Sequence, residues 1–246
     1  RSAVETGTPF IFFRDTVNAA NPNKHAGMIY ASNLCHEIAQ NVGFTNLAEE
    51  IINEDGTITT KTNTGDMVTC NLNSISLGRI SDEELEENIA LQIRMLDNVI
   101  SINQAPVPES RMTSDKYRAI GLGTSGYHHY LVNHDIQWES DEHIEVADKL
   151  FENIAYYAIK ASMELAKEKG AYPAFKGSEW ETGEYFTRRG YTSDRWKQLA
   201  ADVAKYGIRN GYLMAVAPTG STSNIANTTA GIDPIFKKFF IEEKKG

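Results

Sequence analysis

Ser32-Asn33-Leu34-Cys35-His36-Glu37-Ile38 contains one of only two cysteines in a chain of 246 residues, and the rest of the sequence reads as scaffold and substrate clamp around it. In an extended or tightly looped backbone, side chains at i−2, i and i+2 leave on the same side. Asn33, Cys35 and Glu37 then present a hydrogen-bonding amide, a sulfur and a proton acceptor over one substrate. The plain alternative is a buried cysteine beside solvated polar residues. Other stretches must decide between the two.

Composition sets the outer bounds. A chain of this length with 41% hydrophobic and 23% charged residues has enough apolar material for one large domain or two small ones. Its formal net charge of −9 argues against a general nucleic-acid binder, because neutralising phosphates needs clustered Lys and Arg. An anionic ligand must therefore be held locally. Two cysteines make no disulfide framework, and no apolar run suggests a leader or a membrane span, so a cytoplasmic protein with reduced thiols is expected. The chain opens on Arg1 and stops at Gly246 after the charged run Glu242 to Lys245, which reads as a piece of something longer.

Strands and helices alternate along the chain. Pro9-Phe10-Ile11-Phe12-Phe13 is a short apolar run that suits a buried strand. Asp55-Gly56 between Ile51-Ile52 and Thr57-Ile58-Thr59 signals a hairpin, and Met67 to Leu72, which includes Cys70, a further strand. Ser81 followed by three acids starts a helix whose apolar face is Leu85, Ile89, Ile93, Leu96 and Ile100, with Pro106 and Pro108 beyond its end. The longest helical pattern runs from about Glu142 to Lys169, with Val146, Leu150, Ile154, Ala158, Ala161 and Leu165 on one stripe and Gly170 as its cap. A third helix spans Ser193 to Tyr206-Gly207, and Tyr212 to Val216 reads as a buried strand running into Pro218. Without a composition break, this interleaving favours one α/β layer system.

Three more clusters bear on chemistry. Pro218-Thr219-Gly220-Ser221-Thr222-Ser223 follows a strand and precedes Asn224 to Asn227. Small hydroxyl residues and a glycine at a helix start would aim amides and hydroxyls at a phosphate, although a plain Ser/Thr-rich cap has the same pattern. Gly121-Leu122-Gly123-Thr124-Ser125-Gly126 fits the dinucleotide pattern G-x-G-x-x-G, with Asp141 or Glu142 where a ribose-binding acid would stand. Its upstream residues, Tyr117 to Ile120, are too short and polar for a central strand, so a glycine-rich helix start is expected instead. The adjacent His128 and His129 diverge on a helix, as packing or surface residues do and a metal pair does not.

Taken in order, Ser32 to Ile38, then Cys70-Asn71-Leu72, then Ala119 to Gly123, then Ala217 to Ser223 with Gly231-Ile232-Asp233-Pro234, resemble the ordered signatures of the ribonucleotide reductase large subunit. The resemblance covers essentially the whole chain, and the Ser-Asn-Leu-Cys form is similar to class I enzymes more than to the adenosylcobalamin enzymes. It implies an α/β fold that is part of a ten-stranded barrel, two antiparallel half-barrels of parallel strands, with Cys35 on a central finger loop. It implies reduction of ribonucleoside diphosphates to deoxyribonucleotides for DNA synthesis. Residues 1–246 would be a fragment of the barrel domain, lacking the N-terminal effector and first-cysteine part and the C-terminal radical-relay part, and inactive alone.

Carried over, Cys35 would be the transient thiyl radical that removes the ribose 3′ hydrogen, a feasible exchange because S–H and activated ribose C–H bonds are of similar strength. Glu37 would be the general base on the 3′ hydroxyl, Asn33 would hold the sugar, and Cys70 would be one of two thiols that reduce the 2′ position. Asn33, Leu34, Cys35, His36 and Glu37 would line the substrate, and Pro218, Thr219, Gly220, Ser221 and Thr222 would cradle its diphosphate. Cys35 and Cys70 should approach across one cavity, and the 219–223 helix start should point into it. No metal or cofactor would be bound by these residues. The radical would come from a metal-containing small subunit and the electrons from a thioredoxin or glutaredoxin type of protein. Two other readings compete: a nicotinamide-dependent dehydrogenase using the Gly121 loop, and a non-catalytic α/β binding module.

Overall fold

The computed structural model describes residues 1–239 and 241, so the charged run Glu242 to Lys245 lies outside it. In chain order the elements are α1 (Ser2–Thr6), α2 (Arg14–Ala19), β1 (Asn46–Ile52), β2 (Ile58–Asn63), β3 (Leu72–Ser76), α3 (Leu85–Ile102), α4 (Pro108–Tyr117), β4 (Gly121–Ser125), α5 (Tyr127–Asn133), α6 (Asp141–Lys169), α7 (Glu179–Thr182), α8 (Glu184–Arg188), α9 (Asp194–Tyr206) and α10 (Gly220–Ile225). The helices form where local chemistry asks for them. Ser81 and Glu84 make a reciprocal capping box ahead of α3, with Glu84 Oε2 accepting from the Ser81 N–H at 3.0 Å. Behind it Leu85, Ile89, Ile93 and Leu96 are buried at helical spacing. Each such side chain stabilises the fold by roughly 1.5–3 kcal/mol relative to exposure.

Ser140 Oγ accepts from the His143 N–H at 3.1 Å to start α6, which runs 29 residues to Gly170 at φ 84°. Its stripe of Leu150, Ile154, Ala158 and Leu165 packs on α3, and the apolar core continues into Trp196, Leu199 and Val203 of α9. The three long helices thus stand where hydrophobic periodicity predicts them.

The sheet is small. β3 and β4 pair in parallel from Leu72↔Gly121 to Ser76↔Ser125. On the far side of β4 an extended segment joins it through one parallel bridge, Leu122↔Met214, with Ile120 N–H donating to Tyr212 O at 3.0 Å and Ala215 N–H to Leu122 O at 3.0 Å. The predicted 212–216 strand is therefore only partly a strand, and half of it is open: Leu213 and Ala215 are buried while Met214 and Val216 are exposed.

β4 corrects the reading of Gly121 and Gly123 as a helix start, because both lie inside a fully buried strand. A Cβ at Gly121 would press on the side chains of Leu72 and Ala215, and one at Gly123 would overlap the Ala215 carbonyl oxygen. These glycines permit close approach of neighbouring backbones. Gly126, at φ 71°, is the residue that starts α5.

Other expectations shift too. The Asp55-Gly56 hairpin forms as β1–β2, antiparallel and exposed along its whole length. The strand predicted over Met67 to Leu72 begins only at Leu72, so Cys70 sits just before it. Pro9 to Phe13 is no buried strand: it is irregular, and Phe10, Ile11 and Phe13 are 57%, 67% and 70% exposed. Apolar composition marks a surface that can be covered without supplying the cover, and among the described residues no strand pairs with this run. The α/β class holds, but the described residues form a three-segment sheet and a separate hairpin, with no closed barrel. No helix among them is long and apolar enough to cross a membrane.

Candidate active site

The segment from Met28 to Gly43 leaves the body as a loop and returns to it. Its neck is closed by the Val42 N–H donating to Met28 O at 3.0 Å, and Asn18 clamps Ile29 from both sides, donating to its carbonyl at 2.7 Å and accepting from its N–H at 2.9 Å. Leu34, Cys35 and His36 form the exposed tip. His36 turns it at φ 68°, and its ring lies against Phe10 and Phe12, with centroids 5.0 and 5.7 Å away. The irregular apolar run Pro9 to Phe13 thus braces the tip.

Asn33 ties the tip together and aims it. Its Oδ1 accepts from the Ile38 N–H at 3.0 Å, its own N–H donates to Ile38 O at 3.3 Å, and its Nδ2 donates to Cys70 Sγ at 3.6 Å. Buried Ile38 anchors the returning arm of the loop against Gly121. Two thiols 35 positions apart are therefore brought to one patch, with Asn33 between them.

Burial pushes the Cys70 thiol above its ordinary pKa. The Glu37 carboxylate beside it pushes the same way, as does Cys35, against the opposing hydrogen bond from Asn33. Cys70 is consequently kept as a protonated thiol at neutral pH, a hydrogen donor more than a nucleophile. Both cysteines are free and reachable from solvent. Glu37 Oε2 is buried and has no hydrogen-bond partner. An orphaned carboxylate oxygen beside two thiols is a vacant acceptor for a hydroxyl proton.

The Pro218 to Thr222 segment is placed differently. Thr219 adopts the left-handed conformation at φ 53° as the cap of α10, and its Oγ1 accepts from the Gly231 N–H at 2.8 Å. Ser221 and Thr222 lie inside the first turn of α10, with Gly220, Ser221 and Thr222 exposed. Their first-turn amides lack partners within the helix, as at any helix start. Relative to the strand row Asn73–Leu122–Met214, Cys70 lies on the N-terminal side and Thr219 on the C-terminal side. The two groups flank the strands from opposite ends.

The dinucleotide alternative loses its cradle. Gly121 N–H donates to Asn71 O at 2.9 Å, Leu122 N–H to Leu213 O at 2.8 Å and Gly126 N–H to Thr229 O at 2.7 Å, so the amides that would hold a pyrophosphate are engaged. His128 stacks on Trp138, and His129 Nδ1 is 2.9 Å from Thr228 Oγ1, as packing residues. Among the described residues no three His, Cys, Asp or Glu side chains converge as a metal would need. Sequence reading missed Asn18 and a buried cluster around Asn41, because partners so distant along the chain leave no local pattern.

Over residues 1–246 the chain matches the family model described as ribonucleotide reductase, barrel domain. It is 56% identical over 252 residues to a protein named ribonucleoside-diphosphate reductase subunit alpha in Treponema pallidum, covering 100% of this chain and 30% of that protein. Proteins of the same name are 38% identical over 289 residues in Helicobacter pylori (97% of this chain, 37% of that protein) and 36% identical over 253 residues in Synechocystis (99% and 30%). The chain spans about a third of the length of these relatives.

Proposed function

Because the chain belongs to the ribonucleotide reductase family, in its barrel domain, we propose that it carries the cysteine loop of a ribonucleoside-diphosphate reductase of class I. One observation carries this reading: Asn33, Cys35, Glu37 and Cys70 meet at one patch with a buried, unpartnered Glu37 oxygen facing it. Cys35, as a thiyl radical, takes the hydrogen atom from ribose C3′ and becomes a thiol. Glu37 accepts the 3′ hydroxyl proton while Asn33, Leu34 and His36 border the sugar. The 2′ hydroxyl takes a proton from one of two thiols and leaves as water, and the two thiols supply two electrons and become a disulfide. Cys35 then returns its hydrogen to C3′, regaining the radical, as Glu37 returns the proton to the 3′ oxygen. Cys70 is one of the two reducing thiols; with Cys35 assigned to the radical, the other comes from outside these 246 residues.

Pro218, Thr219, Gly220, Ser221 and Thr222 hold the diphosphate through α10 amides and hydroxyls, the nucleotide lying lengthwise along the strands. β3, β4 and the 212–216 segment are strands of a ten-stranded barrel completed by further chain, with the Cys35 loop as its finger. A metal-containing small subunit supplies the radical, and a thioredoxin or glutaredoxin type of protein restores the thiols in the cytoplasm.

The test is turnover of a ribonucleoside diphosphate by the full-length subunit with its small subunit. Cys35→Ser should abolish it while nucleotide binding persists, since a hydroxyl holds its hydrogen far more tightly than a thiol. Glu37→Gln should lower turnover by about a hundredfold to ten-thousandfold, the range for a lost general base. Full activity in Cys35→Ser ends the proposal.

A further inference from the structure

The Cys35 loop is fastened to the body by a buried polar network that the reaction proposed above does not use. Asn21, Asn23 and Asn41 are 2%, 0% and 0% exposed. Asn41 is held from four directions. Its Oδ1 accepts from Asn21 Nδ2 at 2.7 Å, its Nδ2 donates to Asn23 O at 2.8 Å and to the Tyr117 hydroxyl at 3.3 Å, and its backbone N–H donates to the Tyr212 hydroxyl at 3.2 Å. The Tyr212 hydroxyl donates onward to Asn21 Oδ1 at 3.2 Å. Asn23 completes the set, donating to Gly211 O at 2.9 Å and accepting from the Tyr172 hydroxyl at 2.6 Å.

A buried network whose members are all paired specifies one arrangement, because a shift of any member strands a donor or acceptor away from water. An apolar contact would tolerate sliding. What this network fixes follows from its ends. Asn41 lies six positions beyond Cys35. Tyr212 belongs to the sheet, since its carbonyl accepts from Ile120 N–H just ahead of β4, and β4 pairs with β3, at whose start stands Cys70. Hydrogen bonds thus connect Cys70 through β3, β4, Tyr212 and Asn41 to the loop of Cys35, and the Asn33–Cys70 contact closes the ring.

We propose that Asn41 and Tyr212 are positioning residues that set the placement of Cys35 and Glu37 against Cys70, an inference that rests on the thiyl-radical reading. They act through the loop backbone, and their loss moves the tip by a fraction of its own width. A misplacement of about 1 Å costs up to a hundredfold in rate.

Two variants and a control test this in the full-length subunit: Tyr212→Phe, Asn41→Leu, and Ser162→Ala, which removes two buried hydrogen bonds between Ser162 of α6 and Asn210, with Ser162 remote in sequence from the loop. The first readout is the rate at which a short bifunctional alkylating reagent bridges Cys35 to Cys70, identified on the linked peptide; the second is kcat and KM with the small subunit. Tyr212→Phe and Asn41→Leu should slow bridging and lower kcat by about tenfold to a hundredfold with KM little changed, while single-arm alkylation of each thiol is unaltered. Ser162→Ala should lower the melting temperature without either effect. Wild-type bridging and kcat in Tyr212→Phe, equal slowing in Ser162→Ala, or failure of the wild-type thiols to bridge would each overturn the inference. Should Asn41→Leu not fold, Tyr212→Phe decides alone. Bridging needs no turnover, so it still decides if the reductase reading itself fails.

Discussion

Asp97 is a fully buried carboxylate on α3 that three cations surround. Arg118 Nε donates to its Oδ1 at 2.7 Å, Arg209 Nε lies 3.2 Å from the same oxygen, and Lys169 Nζ is 3.4 Å from Oδ2. Burial alone would raise its pKa, but the Arg118 hydrogen bond and the charges of Arg118, Arg209 and Lys169 outweigh that and hold it below the usual carboxylate value. A carboxylate depressed in the fold stabilises it above its unfolded pKa of about 3.9 and loses that contribution as pH falls through the lower folded value. Denaturant unfolding of the wild type should therefore show stability falling below about pH 4. Asp97→Asn keeps the shape but strands the buried Arg118, so it should cost about 3–5 kcal/mol at pH 7 and flatten that acid limb. An unchanged acid limb would remove Asp97 as its source. The residue matters to the site because Arg118 leads into β4, the strand beside Cys70.

Elements were legible where the signal is local and obscure where it depends on a partner. α3, α6 and α9 follow from caps and periodic apolar residues that sit within one turn of each other. Pro9 to Phe13 has the composition of a strand, yet a strand exists only when another backbone pairs with it. Gly121 and Gly123 misled for a related reason: glycine marks both a helix start and a close approach, and the approaching residue, Ala215, lies more than 90 positions on. The distinction can be measured. Gly123→Ala, whose methyl would meet the Ala215 carbonyl, should cost about 1–3 kcal/mol as overpacking does, and more if the 212–216 segment is displaced. Gly220→Ala at the start of α10, with no atom within 4 Å of the added methyl, should be neutral or gain up to about 1 kcal/mol of helix propensity. Equal thermal unfolding of the two variants would show that the glycines of β4 are not there for packing.

On the scale of the molecule, the same contrast separates what the site disclosed from what it hid. Asn33, Cys35 and Glu37 are three alternate residues of one heptapeptide and could be read together, and Cys70 joined them through the family resemblance. The Asn41–Tyr212 joint crosses 171 positions and has no trace in either local sequence. The phosphate end shows a third case: Thr219 to Thr222 was recognisable as a helix start, but its distance from the thiols depends on three parallel segments running between them. In the proposed pose the nucleotide therefore lies lengthwise along the strands, sugar at Cys35 and Cys70, diphosphate at α10. With a net charge of −9 the chain repels anions in general, and the pose proposed above gives the phosphate neutral donors at a helix start. Hydrogen bonds to charged groups are worth about 1.5–3 kcal/mol each, and Thr222 Oγ1 must first leave the Thr219 carbonyl to which it donates at 3.3 Å, so replacing Ser221 and Thr222 by alanine should weaken a nucleoside diphosphate by about tenfold to a hundredfold. The same double variant should bind the nucleoside without phosphates as the wild type does, and its preference among bases should not change. Calorimetric titration of both ligands against the assembled enzyme separates the outcomes. Equal weakening of nucleoside and nucleoside diphosphate would mean that α10 supports the fold of the site rather than the phosphate, and the lengthwise pose would fall with it.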